Sequence, residues 1–233
     1  MAAHDINYVS LAGVADQVGN EHGPALSNLP LGDLLGGTMT AAMQVCAALY
    51  GAARTGRGAY LDVAIADSVL AQAVIPRAML REHGRVPALG EGRLTGALAC
   101  YGFYSTSDGR WLSVGALERK FWEALCDRLE RPELKPLHDT GDAATEQRMR
   151  EELRATFGAR PLAHWAALFE GSEACVAPVL RLDETLAHPH FVARGMAADP
   201  PGHAPQPGEH TREILEQAGF DAGEVEALRA ARA

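Results

Sequence analysis

Between Pro30 and Asp67 the chain reads PLGDLLGGTMTAAMQVCAALYGAARTGRGAYLDVAIAD. From about Thr38 to Ala53 this stretch carries Ala, Met, Leu, Val and Cys on nearly every face of a helix. A helix with no wide polar side belongs in an interior, so the pattern predicts a buried helix around which the remaining elements are arranged. Gly56 and Gly58 in the exit RTGRG suit the positive backbone angles that follow a helix C-terminus. Before the helix, Gly32, Gly36 and Gly37 frame Asp33 in an expected exposed turn, where a ligand can approach the backbone closely. Tyr60 to Ile65 is short and apolar enough for a strand or for the entry to the next helix.

The chain has 233 residues, 47% of them hydrophobic, enough to bury a substantial core. Its net charge is −9, and Lys occurs only at Lys120 and Lys135. An acidic surface without a basic stripe argues against nucleic acid as a partner. Cys46, Cys100, Cys126 and Cys175 lie far apart and read as buried thiols of a reducing compartment. No run approaches the roughly 18 apolar residues of a membrane span, and MAAHDINY has no signal-peptide core. The expectation is a soluble cytoplasmic protein with no membrane contact. Polar residues of catalytic type in His4-Asp5-Ile6-Asn7-Tyr8 open the chain directly, which implies either a mobile tail or an upstream portion that is missing.

Taken in order, Asn7 to Val18 suits a short helix ending at Gly19, and residues 19–30 a loop. Asp67 to about Arg85 reads as a second helix with a kink at Pro76. Residues 84–96 are a Gly- and Pro-rich linker, after which the texture changes. Cys100–Tyr104 and Arg110–Gly115 are strand-like, and Asp108-Gly109 between them signals a hairpin. Helices are expected over Glu118–Leu129, Ala143–Phe157 and Pro161–Glu170, then a short strand at Cys175–Leu180 and a helical turn at Leu182–Ala187. Residues 195–209 are loop-like, and Glu209 to Ala218 is the last clear helix.

GDLLGG, RTGRG, YLDVAIADSVL, SDGRWLSVGALERKFW, CVAPVL, HPHFVARG and GEHTREIL occur in this order. The ordered set resembles the family III CoA-transferases, the CaiB/BaiF group that also contains the α-methylacyl-CoA racemases. The likeness spans essentially the whole chain but only the C-terminal part of such enzymes. It implies an α/β fold in two parts that lacks most of the N-terminal Rossmann-like portion. Residues 1–85 would be the remainder of the large domain, 86–185 a linker and small α+β domain, and 186–233 a return to the large domain. An interlocked homodimer is implied as well. So are acyl-CoA and carboxylic acid substrates, coenzyme A arriving as a thioester rather than as a tightly bound cofactor.

By that resemblance Asp33 is the nucleophile that attacks an acyl-CoA thioester and forms a mixed anhydride, a role suited to a carboxylate ionised near pH 7. Read from the residues alone, Asp33 is a carboxylate stabilised at a helix start. HDINY resembles the racemase branch, where Asp5 would be one of two acid/base groups; the partner histidine of that branch belongs to the portion absent here. Glu118 resembles a recurring family residue, and first-turn capping explains it as well. Gly36, Gly37 and Gly96 are the glycines at which a CoA thioester would approach. The stretch Leu94–Ala99 departs from both the glycine-rich loop of the transferases and the LDGGAP loop of the racemases. His188, His190, His203 and His210 lack ligand spacing, so no metal is expected. The expected function is CoA transfer between carboxylic acids by a truncated member, the isolated chain being inactive if its N-terminal half is required. Racemisation at the α-carbon is the alternative, and a non-catalytic fragment needing a partner chain is the second.

Overall fold

A computed structural model describes residues 2–20, 22–198 and 205–231. The chain is mixed α/β and rich in helix, as its pattern predicts. It divides into two compact units, one ending at Val179 and one starting at Leu180.

Helix α1 runs from Asp5 to Leu11 and is tied down at its start, where His4 donates its N–H to Asn7 Oδ1 at 3.0 Å. It ends earlier than Gly19. Gly13 takes φ +72°, and Val14 and Gly13 return hydrogen bonds to Val9 and Ser10 carbonyls, a glycine-terminated helix end. Strands β1 (Gly19–Asn20) and β2 (Gly23–Pro24) form a tiny antiparallel hairpin inside the expected loop. Gly32–Met39 then makes π-helical turns that pass directly into helix α2, Thr40–Thr55. Gly56 closes α2 at φ +68°, as the exit sequence predicts, whereas Gly58 does not take the positive φ expected of it.

Tyr60 to Ala64 forms no strand; helix α3 (Ile65–Gln72) begins at Ile65. Helix α4 (Val74–His83) follows after a break at Ala73. The break lies three residues before Pro76 because the proline ring meets the preceding turn and offers no N–H to the carbonyl of Gln72.

The principal core lies between Leu98 and Ala174. Strands β3 (Tyr101–Ser105), β4 (Trp111–Gly115) and β5 (Val176–Pro178) form one antiparallel sheet in that order. Leu112 and Val114 point inward, while Trp111 faces out. Helix α5 (Arg119–Arg128) buries Trp122, Leu125 and Cys126, and a 3₁₀ segment, Pro132–Leu137, accepts the Trp122 indole N–H at the Leu134 carbonyl. Helix α6 (Ala143–Gly158) lays Glu146, Met149, Leu153 and Phe157 along one face. Helix α7 (Leu162–Phe169) sets Trp165 edge-on to Phe157 at 5.3 Å. Asp108, in the hairpin turn, accepts from Thr106 Oγ1 and from the Leu162 N–H, so one carboxylate joins the turn to the start of α7.

The second unit holds α8 (Leu182–Ala187), α9 (Pro189–Ala193), α10 (Thr211–Gln217) and α11 (Ala222–Ala230). The last of these, missed in the sequence, is capped by Asp221 and buries Val225.

The helix that was to be the buried centre is the largest departure. None of the α2 residues is buried, and Met43, Leu49 and Tyr50 are about two-thirds exposed, at 67%, 65% and 66%. Its all-round apolar composition demands a cover that the described residues do not supply. Joined to the preceding turns, it makes a helix of 24 residues, Gly32–Thr55, long and apolar enough to cross a membrane by length and composition. A count of uninterrupted apolar residues misses this, because Gly and Thr are helical here rather than a turn.

Candidate functional site

Asp5 and Asp33, the two leading aspartates, meet. Asp5 occupies the first position of α1, and Asp33 lies in the first turn of the helix beginning at Gly32. The backbone N–H of Asp33 donates to Asp5 Oδ1 at 2.9 Å. A helix N-terminus has unpaired N–H groups, and here an acid from another element takes one of them. Asp33 is therefore not in a free turn. Its side chain is exposed, and its contribution to the pair is its backbone.

The glycines explain how the two segments come this close. A Cβ on Gly32 would lie 2.9 Å from Asp5 Oδ1 and 3.4 Å from Val9 Cγ1. Any side chain at position 32 would displace the carboxylate. Gly36 and Gly37, expected to admit a ligand, face α3 instead. A Cβ on Gly36 would meet Val69 Cγ2 at 2.8 Å and the Ile65 carbonyl oxygen at 2.9 Å, and one on Gly37 would meet Ile65 Cγ1 at 3.4 Å. These two glycines serve close packing of helix on helix.

Asp5 also lines a cavity of about 240 Å³ whose other walls are mainly apolar, with Ile6, Val9, Val18 and Leu29 among them. Among the described residues lining it, Asp5 is the one acid or base. A smaller cavity of about 220 Å³ shares Val14 and Leu31 with it. A third, apolar and about 440 Å³, lies between Ile75, Met79 and Leu94.

Glu118 sits apart from the aspartates as the N-cap residue of α5, its side chain making no capping bond. Gly96 has φ +133° and lies against Gly90, where a Cβ would come within 2.8 Å of the Gly90 carbonyl oxygen. Two of the cysteines expected inside are exposed, Cys46 on the uncovered α2 and Cys175 at φ +50°. Burial pushes the Cys100 thiol up to about 11, with Glu146 and Asp139 adding to it, and that of Cys126 up to about 12. No cluster of three metal-ligating side chains occurs among the described residues. His188 Nδ1 accepts the His190 N–H, and His203 lies outside the described residues.

The pairing of Asp5 with Asp33 leaves no local sequence signal, since 28 residues separate them. Gly32 was legible as a glycine, but its partner was not.

Comparison with known proteins places these features in a family context. The family model described as CoA-transferase family III matches residues 1–228. The human alpha-methylacyl-CoA racemase is 30% identical over 254 residues, covering 97% of this chain and 64% of the human protein. The succinyl-CoA:mesaconate CoA-transferase of Haloarcula marismortui is 28% identical, covering 94% of this chain and 61% of its own length. The chain thus spans somewhat under two-thirds of these relatives. A CAIB/BAIF family protein from Brucella suis superposes with a TM-score of 0.74 at 20% identity, over 93% of this chain and 63% of the other.

Proposed function

The chain belongs to CoA-transferase family III, and we propose that it takes part in CoA transfer between carboxylic acids with Asp5 as the nucleophile. The observation that carries this is the Asp5 carboxylate, oriented by the Asp33 N–H at 2.9 Å on the wall of an otherwise apolar cavity. Nucleophilic acyl transfer needs one positioned carboxylate, and Asp5 supplies it. Racemisation by two groups needs a second acid or base across the α-carbon, which by the resemblance belongs to a part of such enzymes that this chain does not span.

In this reading a carboxylate oxygen of Asp5 attacks the thioester carbonyl, the C–S bond breaks, and CoA leaves as thiolate. A mixed aspartyl anhydride remains. The thiolate then attacks the aspartyl carbonyl, releasing the first acid as its carboxylate and leaving an aspartyl thioester. An incoming carboxylate attacks that thioester to form a second anhydride, and the thiolate returns to the new acyl carbonyl, freeing Asp5. The Asp33 N–H and the surrounding apolar wall position the Asp5 carboxylate for attack. The resemblance-based role for Asp33 as nucleophile passes to Asp5, with Asp33 kept as the backbone donor.

The test is hydroxylamine trapping. The chain is incubated with acyl-CoA and hydroxylamine, digested, and the peptide containing Asp5 is weighed. A hydroxamate on Asp5 supports the reading, and one on Asp33 overturns the assignment. Racemisation is the second reading, favoured by the 30% identical human racemase and by HDINY. Deuterium from solvent entering at the α-carbon, with no acceptor acid present and no trapped anhydride, would establish it instead.

A further inference from the structure

A groove of about 790 Å³ lies between the segment Gly90–Leu98 and helix α6, apart from the Asp5 cavity. Arg150 and Arg154 line it, one helical turn apart and so on one face. Glu146, four residues before Arg150, stands where it could pair with that arginine. It turns inward instead. Glu146 is 6% exposed, and its Oε2 accepts the Ala99 N–H at 2.8 Å, while its Oε1 has no partner among the described residues. Arg150 donates to the Gly96 carbonyl, which the backbone of that glycine at φ +133° presents. Arg154 is exposed and takes part in no hydrogen bond or ion pair among the described residues. Glu91 is the other acid on the groove's wall.

We propose that this groove binds one carboxylate of a dicarboxylic acid, held by the guanidinium groups of Arg150 and Arg154. Two guanidinium forks a turn apart match the two oxygens of a carboxylate better than any ammonium would. The proposal rests on the transfer reading for the role of the acid as CoA acceptor. An acceptor must present a free carboxylate to the aspartyl intermediate, so an acid anchored here by one carboxylate needs a second to react. The hairpin of β1 and β2 fits this division. Val18 and Pro24 face the Asp5 cavity, whereas Gly19 and Asn20 face the groove. One short hairpin is the wall common to both.

The experiment titrates succinate into the chain without any acyl-CoA, reading heat and the arginine side-chain N–H signals by NMR at fixed ionic strength. Saturable binding that shifts the Arg150 and Arg154 signals is expected. Arg154→Gln should weaken it roughly tenfold or more, the effect of losing a hydrogen bond to a charged group. Arg154→Lys, which keeps charge but loses the fork, should recover part of the affinity. Arg154 makes no hydrogen bond or ion pair among the described residues, so its variants should melt like the parent; Arg150→Gln is secondary because it also releases Gly96. The proposal fails if succinate does not saturate, if Arg154→Gln binds as the parent does, or if inorganic phosphate binds more tightly than succinate. A failed hydroxamate trap at Asp5 would leave these binding results standing, so the two readings fall separately.

Discussion

The Asp33 N–H points at Asp5 Oδ1 from 2.9 Å, so the carboxylate of one aspartate caps the helix that starts beside the other. Two residues that read as rival catalytic groups in the sequence are parts of one arrangement. The shared contact also sets what each substitution should do.

Gly32→Ala is the sharpest probe. The new Cβ would lie 2.9 Å from Asp5 Oδ1 and push the carboxylate aside. Misplacement of a reacting group by about 1 Å costs on the order of 10²-fold in rate, so transfer activity should fall by about that much. Stability should change little, because alanine in a helix gains about 0.5–1 kcal/mol over glycine and offsets the crowding. Gly36→Ala should do the reverse of Gly51→Ala. The first drives a Cβ into the Ile65 carbonyl and Val69, destabilising by about 1–3 kcal/mol. The second meets nothing within 4 Å and should stabilise by about 0.5–1 kcal/mol. Thermal melts of the three variants beside a transfer assay check the pattern.

Helix ends and turns were legible where one residue dictates them. Gly56 and Gly109 adopt the positive φ that their sequence context predicts, and the alternation of Leu112 and Val114 with outward Trp111 reads directly as a half-buried strand. Gly13 carries the same kind of signal and ends α1 at φ +72°, six residues before the Gly19 that the pattern predicts. What was not legible depends on neighbours distant in the chain. Asp5 and Asp33 are joined by a fold, not a spacing. The burial of Gly36 against Val69 and the exposure of α2 both depend on which surfaces the rest of the chain reaches. Apolar composition states that a helix wants cover and cannot state who provides it.

Asp142 caps α6, accepting from the Thr145 hydroxyl and N–H at 2.6 and 2.8 Å. Those bonds hold its carboxyl below the ordinary value of 3.8. A depressed carboxylate contributes stability that is present above its unfolded value and lost as the pH falls through the lower folded one. Asp142→Ala should therefore lower the melting midpoint at neutral pH and have little effect once the pH is well below 3.8. Melts between neutral and strongly acidic pH will show the two curves converging.

Thiol labelling at pH 8 should separate the cysteines by burial. Cys100 and Cys126, pushed up to about 11 and about 12 by desolvation, should react only on unfolding. Cys46 and Cys175 are exposed and should react on the folded protein, although partial burial of its thiol raises Cys175 above the ordinary value. Peptide mapping after a short pulse of reagent gives the order directly. Early labelling of Cys100 would contradict the core as described.

Cys46 also reports on α2, whose exposed Met43, Leu49 and Tyr50 are too apolar to remain bare in water. Met43 and Tyr50 are seven residues apart on a helix, and so lie on one stripe. Burying such side chains is worth about 1.5–3 kcal/mol each, so covering several of them on both copies offsets the cost of association. The chain should therefore self-associate, and Cys46 should become slower to label as concentration rises. Met43→Lys with Leu49→Lys should shift sedimentation toward the monomer while leaving the core centred on Trp122 and Phe157 intact, since neither side chain is part of it. If the parent instead sediments as a monomer at all concentrations and floats with lipid vesicles, the 24-residue helix Gly32–Thr55 finds its cover in a bilayer rather than in protein. A monomer that neither associates nor floats would contradict the argument that this face requires a partner.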